Sequence, residues 1–297
     1  MRTLVRASLS ALLFVTAAPS ALAHDGEYFQ FTLSGSQEVP PVATPASGAG
    51  CGVLDTHTNL FTYHYEFSGL SSAQTAAHIH GFAPAGSNAG ILFDLGLGSP
   101  KSGSVTLSAA QAANFLADLA YINVHSTAFP GGEIRGQIAR QPPLPLVNFC
   151  AGDGSGTACP CGNEVPAGVA AGCRHSAGAG AVLRGEGVPS VNCESFGLRA
   201  ANLPGIGAVL FFQGTARVSG GAGAVFGDGL RCVDGVVVRL GTLIPSGGAA
   251  ELDDPGQLGG ATPGTTLYYQ AWYRNTVPFC APTGFNLTDA LEVVWLQ

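Results

Sequence analysis

The chain has 297 residues and a formal net charge of −7, with 19 acidic and 12 basic side chains. Charged residues make up only 10% of the sequence and form no basic cluster, which argues against nucleic-acid binding and against electrostatic attachment to an anionic membrane. The 43 glycines and the 46% of hydrophobic residues are typical of a compact, turn-rich β protein rather than a disordered chain.

The N-terminal segment has the features of an export signal. Arg2 and Arg6 precede an apolar stretch, and "PSALA" ends at Ala23 with the small-x-small form of a signal-peptidase site. We expect residues 1–23 to be a signal peptide and the mature protein to be secreted, periplasmic or on the cell surface. No apolar stretch is long enough to predict a membrane span. After cleavage, the amine and imidazole of His24 would form a copper-chelating pair, although no further ligand can be named.

The uneven distribution of the cysteines indicates two parts of the chain. Cys51 is the only cysteine before residue 150, and the other seven follow it. The change coincides with the proline-rich stretch "ARQPPLPLVNF", which is typical of a stiff, extended connector. We therefore place a first domain at 24–140, a linker at 141–149 and a second, cysteine- and glycine-rich domain at 150–297.

Alternating apolar and polar residues predict strands in the first domain. The segments are "EYFQFTLSG", "LFTYHYEFSGL", "SGSVTLS", "YINVHST" and "GEIRGQIA". In the clearest of them, Phe61, Tyr63, Tyr65 and Phe67 fall on one face. Only the stretch that follows Ser108 has a helical pattern, with Ser108 as its N-cap. One short helix among many strands predicts a β-sandwich or a barrel.

The second domain has the same character. Its candidate strands are "AVLRGEG", "SFGLRAANL", "AVLFFQG", "RCVDGVVVRLG", "TTLYYQAWYR" and "ALEVVWL". Turns rich in Gly, Pro and Asp separate them, and no helix-length pattern stands out. The sequence therefore predicts an all-β protein with two β-sandwich or Greek-key barrel-like domains and one short helix, in the first domain.

Two histidines stand out in "TAAHIHGFAPAG". His78 and His80 are two residues apart, so they lie on the same face of a strand. His125 in "YINVHST" occupies another predicted strand, and Glu133 follows eight residues later. Neutral imidazoles favour zinc and copper. One hypothesis is therefore a copper or zinc site formed by His78, His80, His125 and Glu133.

A structural role is the competing interpretation of the same residues. Here the histidines donate hydrogen bonds to backbone carbonyls, and Glu133 pairs with Arg135 or with Asn123. Residue types alone do not show that the side chains converge, so both interpretations stay open.

Three ordered motifs carry a family resemblance: "SGSQEVPPVATPASGAG", "AAHIHGFAPAGSNAGILFDL" and "YINVHSTAFPGGEIRGQI". Together they resemble the CHRD domain over about residues 28–140, a module that is repeated in chordin and found singly in many exported bacterial proteins. The resemblance implies an all-β extracellular binding or scaffolding module, but a shared fold does not transfer a partner. The "HIH" piece is also similar to a strand of the copper–zinc superoxide dismutases, whose bridging-histidine loop and remaining zinc ligands have no counterpart in the sequence.

Four cysteines lie close together in the second domain: Cys150, Cys159, Cys161 and Cys173. A zinc site is the alternative, but in an exported protein thiols oxidise, so we predict disulfides. We expect Cys159 and Cys161 each to pair outward, with Cys150 and Cys173 as their partners. Cys232 and Cys280 are favoured as a further bridge. An interdomain bond between Cys51 and Cys193 is left open.

The sequence contains no nucleophile–base arrangement, so we expect a non-enzymatic exported protein whose partner is an extracellular protein or a glycan. A copper or zinc carrier or redox protein, including a dismutase-like enzyme, is the first alternative. The second is a carbohydrate-binding module in the C-terminal domain, formed by the aromatic run Tyr268, Tyr269, Trp272 and Tyr273.

Overall fold

The structure is a computed structural model, and it describes residues 26–142, 146–193, 196–205, 207–277 and 279–296. The predicted signal peptide and His24 lie outside the described residues, as do Pro143 and Pro145 of the predicted linker. Within these ranges the fold is all-β, as predicted from the sequence.

The first half of the chain forms one antiparallel sheet of nine strands. They are β1 Gly26–Ser34, β2 Ser47–Asp55, β3 Leu60–Ser68, β4 Gln74–Gly81, β5 Ile91–Asp94, β6 Lys101–Thr106, β7 Ala120–Ser126, β8 Ile134–Gln137 and β9 Ala139–Arg140. The strand order is β5-β4-β7-β8-β1-β2-β3-β6, with β9 also paired to β1. The sheet curves into a nearly closed, barrel-like shape.

Aromatic side chains fill the inside of this barrel. Phe61, Tyr63 and Tyr65 are buried on one face of β3 and stack along the strand, as the alternation predicted. Helix α1 spans Ala109–Leu116. Its N-cap is Ser108, whose side chain accepts a hydrogen bond from the backbone N–H of Gln111. The helix buries Phe115 against Phe61, with ring centroids 4.9 Å apart.

The second half consists of shorter antiparallel sheets. Its strands are β10 Val147–Phe149, β11 Val182–Glu186, β12 Gly197–Ala201, β13 Val209–Gly214, β14 Ala216–Arg217, β15 Ala224–Phe226, β16 Gly229–Arg231, β17 Val233–Asp234, β18 Val238–Leu243, β19 Ala250–Asp253, β20 Thr266–Arg274 and β21 Phe285–Val294. The main sheet has the order β10-β21-β20-β13-β18, and β11-β12-β19 form a second one. A five-residue helix, α2 Pro255–Gly259, lies in this half, where no helix was predicted.

The proline-rich connector ends in a strand. Val147, Asn148 and Phe149 pair with β21, so the main sheet of the second half takes in the last residues of the stretch predicted as a linker. The division into domains at this point stays a prediction. Among the described residues, no helix is long and apolar enough to cross a membrane.

All eight cysteines form disulfides, and the pairing differs from the expected one. The bonds are Cys51–Cys193, Cys150–Cys232, Cys159–Cys173 and Cys161–Cys280. The favoured Cys232–Cys280 bridge is therefore wrong. Of the two partners expected for Cys159 and Cys161, Cys173 bonds Cys159, whereas Cys150 bonds Cys232. Cys232 lies just beyond β16, where it meets Cys150 at the end of β10, while Cys280 lies in a loop that reaches Cys161. The Cys51–Cys193 bond, left open from the sequence, joins the two halves.

Candidate metal site

Strands β4, β7 and β8 carry a layer of polar side chains on the outside of the barrel. His80 lies opposite Tyr121, His78 opposite Asn123, and His125 opposite Ala76. The intervening side chains, such as Ile79 and Ile122, are buried in the core, so strand alternation turns the polar set outward. Loops cover the layer, and His80 and His125 are less than one-tenth exposed.

The three histidines converge. The ring centroid of His78 lies 5.5 Å from that of His80 and 4.9 Å from that of His125, and the last two are 6.1 Å apart. The shortest contact joins His78 Nδ1 and His125 Nε2 at 3.1 Å. One ring nitrogen from each histidine lies within 4.8 Å of the other two. The three imidazoles therefore lie close enough for one ion to bind them all after small shifts of the rings.

Backbone carbonyls orient two of the rings. His80 Nδ1 lies 3.0 Å from the carbonyl oxygen of Ala89, and His125 Nδ1 lies 3.0 Å from that of Pro130. Because a carbonyl oxygen only accepts, each Nδ1 carries the proton and each Nε2 keeps its lone pair. Histidines that bind metals are held in the same way, through a hydrogen bond from the nitrogen that does not face the ion.

One of these nitrogens has no partner. His80 Nε2 is buried and makes no hydrogen bond among the described residues. Burial lowers the pKa of His80, and it lowers that of His125 as well. Both rings are therefore neutral at pH 7, which is the form that binds a metal.

Two stacked side chains support His80: Tyr121 packs against one face of its ring, and Arg135 packs on Tyr121. The Tyr121 ring lies parallel to the His80 ring, within 9°, with a centroid distance of 4.9 Å. The guanidinium carbon of Arg135 lies 3.5 Å from the centroid of the Tyr121 ring. Arg135 is 1% exposed and donates hydrogen bonds to Asn88 and Gln137. His80 is thus supported by packing as well as by a hydrogen bond.

Glu38 closes the layer on the other side of Asn123. Asn123 Nδ2 donates to Glu38 Oε2 at 3.3 Å, and the Arg135 charge acts on the same carboxyl group. Burial raises the pKa of Glu38 to about 7. Glu38 Oε1 and Asn123 Oδ1 both lie beside Gly132 without a hydrogen-bond donor among the described residues. A proton on Glu38 supplies a donor that the ionised carboxylate lacks.

Glu133 does not join the histidines. Its Oε1 accepts hydrogen bonds of 2.7 Å from Thr44 Oγ1 and from both the backbone N–H and the hydroxyl of Ser71. Burial acts to raise its pKa, but hydrogen bonds from Ser126, Thr44 and Ser71 outweigh it and lower the pKa to about 2. The pairing of Glu133 with Arg135 or Asn123 is also wrong, because Glu38 takes that place.

The aromatic run of the second half is split between two faces of β20. Tyr269 and Tyr273 are buried in the core, at 0% and 1% exposure. Tyr268 and Trp272 are half-buried and pack near the disulfide-rich segment. The four rings therefore do not form one exposed platform, as the carbohydrate-binding hypothesis required.

Some residues of the polar layer were not identified from the sequence. Glu38 lies in the "EVPP" motif, which contributes to the family resemblance but not to the predicted site. Tyr121 shares its strand face with Asn123 and His125, at the period of two that placed those side chains together. The alternation along β7 therefore could have predicted Tyr121 as a member of the polar layer. No local sequence pattern indicates that the loop of Glu38 lies beside Asn123.

The comparisons with known proteins agree with this fold. Residues 29–138, about a third of the chain, match the family model of the CHRD domain. No curated protein and no solved structure matches the chain. The resemblance inferred from the sequence motifs is confirmed, and it supports a role as a binding or scaffolding module.

Proposed function

We propose that the CHRD domain of this protein is an exported, non-enzymatic binding module that holds one zinc or copper ion between His78, His80 and His125. The observation that carries the proposal is the approach of three ring nitrogens, all within 4.8 Å of one another. Tetrahedral zinc sites with three histidine ligands are a known arrangement.

The electronic state of the rings supports the proposal. The carbonyls of Ala89 and Pro130 leave the Nε2 lone pairs of His80 and His125 free of protons. A buried nitrogen without a partner, such as His80 Nε2, costs about 1–3 kcal/mol, and a bound ion would remove that cost. Without a metal, His78 Nδ1 donates a hydrogen bond to the lone pair of His125 Nε2, and a bound ion would take the place of that proton.

The other potential metal ligands limit which metals the site can bind. Every cysteine is in a disulfide, so no thiolate is available for a metal. Glu133 is hydrogen-bonded to Thr44 and Ser71. Among the described residues, no further His, Asp or Glu joins the three histidines. A three-imidazole set suits zinc and copper rather than calcium or magnesium, which prefer oxygen ligands.

The disulfides support the exported part of the proposal. Four bonds in one chain are typical of an oxidising, extracellular environment. We propose that the mature protein is secreted, periplasmic or on the cell surface, and that its partner is an extracellular protein or glycan.

Thermal unfolding of untagged protein tests the metal site. After treatment with a chelator, zinc chloride or copper sulfate should raise the Tm by mass action, because the ion binds the folded chain. The shift should disappear in His78→Ala and His125→Ala. His64→Ala, on β3 and hydrogen-bonded to Ser102, should keep the shift and serves as the matched control. An equal shift in all variants, or none in the wild type, would refute the proposal.

A further inference from the structure

A groove in the second half of the chain lies outside the histidine layer. It runs between the outer face of strands β13, β20 and β21 and the hairpin of β15 and β16. Its volume is about 470 Å³, within the range of small-molecule sites. The apolar side chains that line it are Leu210, Phe212, Phe226, Val237, Trp272 and Leu287.

The apolar lining is partly open to solvent. Phe226 is 44% exposed and Val237 is 41% exposed. Phe285 connects the two aromatic walls, with its ring centroid 4.9 Å from that of Phe226 and 5.4 Å from that of Trp272. A cluster of exposed apolar groups around a concave surface indicates a ligand with an apolar body.

Arginines supply the charge that lines the groove. Among the described residues, Arg231 and Arg239 are its only charged lining residues, in a chain of net charge −7. Arg231 binds Asp234 at 2.8 Å, so its charge is balanced. Arg239 is exposed, and its guanidinium makes no ion pair or hydrogen bond with the residues that the structure describes. Arg274 lies over the Trp272 ring at 5.1 Å and adds a second cation at the rim.

We propose that this groove binds a small organic acid that carries an apolar body. Phe226, Val237 and Trp272 contact the body, and Arg239 binds the carboxylate, for which its planar guanidinium offers two parallel N–H donors. A sugar fits less well, because its hydroxyls need several hydrogen-bonding partners and the lining offers few polar groups beyond the arginines.

The probe for this site is 8-anilinonaphthalene-1-sulfonate, an aromatic anion whose fluorescence rises in an apolar environment. It should bind the full-length protein and be displaced by dodecanoate, used below its micelle concentration. Dodecyl maltoside, with the same chain and an uncharged sugar head, should displace it much less. Size-exclusion chromatography of the same samples reports whether a second copy of the chain occupies the groove instead.

Variants localise the binding. Arg239→Gln should weaken dodecanoate binding about fivefold, the upper range for one exposed ion pair. Val237→Glu places a carboxylate in the groove and should weaken binding further. Val236→Glu changes the neighbouring residue, which is 69% exposed and does not line the groove, so it should have no effect.

Several results would overturn the proposal. These are an absence of probe binding, equal displacement by dodecanoate and the maltoside, equal affinities in the Val236 and Val237 variants, and dimerisation that blocks the probe. Circular dichroism of each variant confirms that the fold is retained. Arg174→Gln removes another exposed arginine and should leave the affinity unchanged.

Discussion

Two buried glutamates in the first half have opposite pKa shifts, and the cause lies in their hydrogen-bond donors. Glu133 accepts three hydrogen bonds at one oxygen and is held as a carboxylate. Glu38 accepts one long hydrogen bond from Asn123 and is buried without a close ion pair, so burial favours its neutral form. The contributions of Glu38 and Glu133 to the stability of the fold therefore depend on pH in opposite directions.

Glu38→Gln should stabilise the protein at alkaline pH. The pKa of Glu38 is about 7 in the folded chain and 4.5 ordinarily, so the folded state binds more protons and stability falls as the pH rises through this window. The glutamine amide mimics the neutral acid and should raise the free energy of unfolding by about 1–3 kcal/mol at pH 8. Urea unfolding at pH 5 and pH 8 measures this. A variant that is equally destabilised at both values would contradict it.

Glu133→Gln should have the reverse effect. The folded pKa of about 2 lies below the ordinary 4.5, so the stabilisation from the carboxylate is complete above about pH 4.5 and is lost as the pH falls toward 2. We expect the variant to lose about 1–3 kcal/mol at pH 7, because its amide donor meets a site arranged for an acceptor. The wild type and variant should converge in stability near pH 2. A difference that does not depend on pH would count against this assignment.

The candidate site shows which contacts a sequence pattern can predict and which it cannot. The period of two put His78 and His80 on one face, and the structure brings His125 to them from β7. The sequence groups Glu133 with them because it follows His125 by eight residues. Its carboxylate instead binds Thr44 and Ser71, which are distant in sequence, and no local pattern indicates such contacts.

At the level of the element, β2 shows why some strands escape prediction. Its residues Gly48, Gly50 and Gly52 have no side chains, so the strand lacks the apolar alternation by which the others were predicted. The glycines are needed because aromatic rings from β1 and β3 occupy the space that their side chains would fill. A Cβ on Gly52 would lie 2.3 Å from Phe61 Cζ, and one on Gly50 would lie equally close to Phe31 Cζ.

Gly52→Ala should therefore destabilise the barrel. The added methyl group forces Phe61 out of its packed position, at a cost of about 1–3 kcal/mol. Ala49→Ser, on the outer face of the same strand, should change the stability by less than about 0.5 kcal/mol. Chemical denaturation of both variants tests this. If the two variants lose equal stability, the proposed packing of β2 is wrong.

Most of the disulfide pattern could not be predicted, for a related reason. Cysteine spacing gives the distance along the chain, whereas bonding needs Cα atoms about 6 Å apart in space. Cys150 and Cys232 meet because β10 and the segment after β16 pack around one small core, and neither their spacing of 82 residues nor their local pattern indicates this. Assigning six of the eight cysteines to disulfides required only the expectation of export.

At the scale of the whole molecule, one covalent bond spans the two halves. Cys51 on β2 is joined to Cys193, which is 142 residues away. We predict that proteases cut first between Arg140 and Val147, where three prolines lack the N–H that a ladder hydrogen bond needs. Because of the Cys51–Cys193 bond, the two fragments should migrate together on a non-reducing gel and separate only after reduction.

Cys51→Ser combined with Cys193→Ser supplies the control for this experiment. In the double variant the same cut should release two fragments without any reductant. Fragments that separate from the unreduced wild type would contradict the Cys51–Cys193 assignment. Resistance of the connector to cleavage would contradict the division into two domains.

The central claim is that three imidazoles hold one metal ion on the first domain. X-ray absorption spectroscopy of the full-length, untagged protein, loaded with zinc and dialysed, tests it most directly. We predict about one zinc ion per chain, with three histidine nitrogens at about 2.0–2.1 Å and a light oxygen or nitrogen atom in the remaining position. Protein that retains no zinc after dialysis, or zinc with fewer than three imidazole ligands, would contradict the claim.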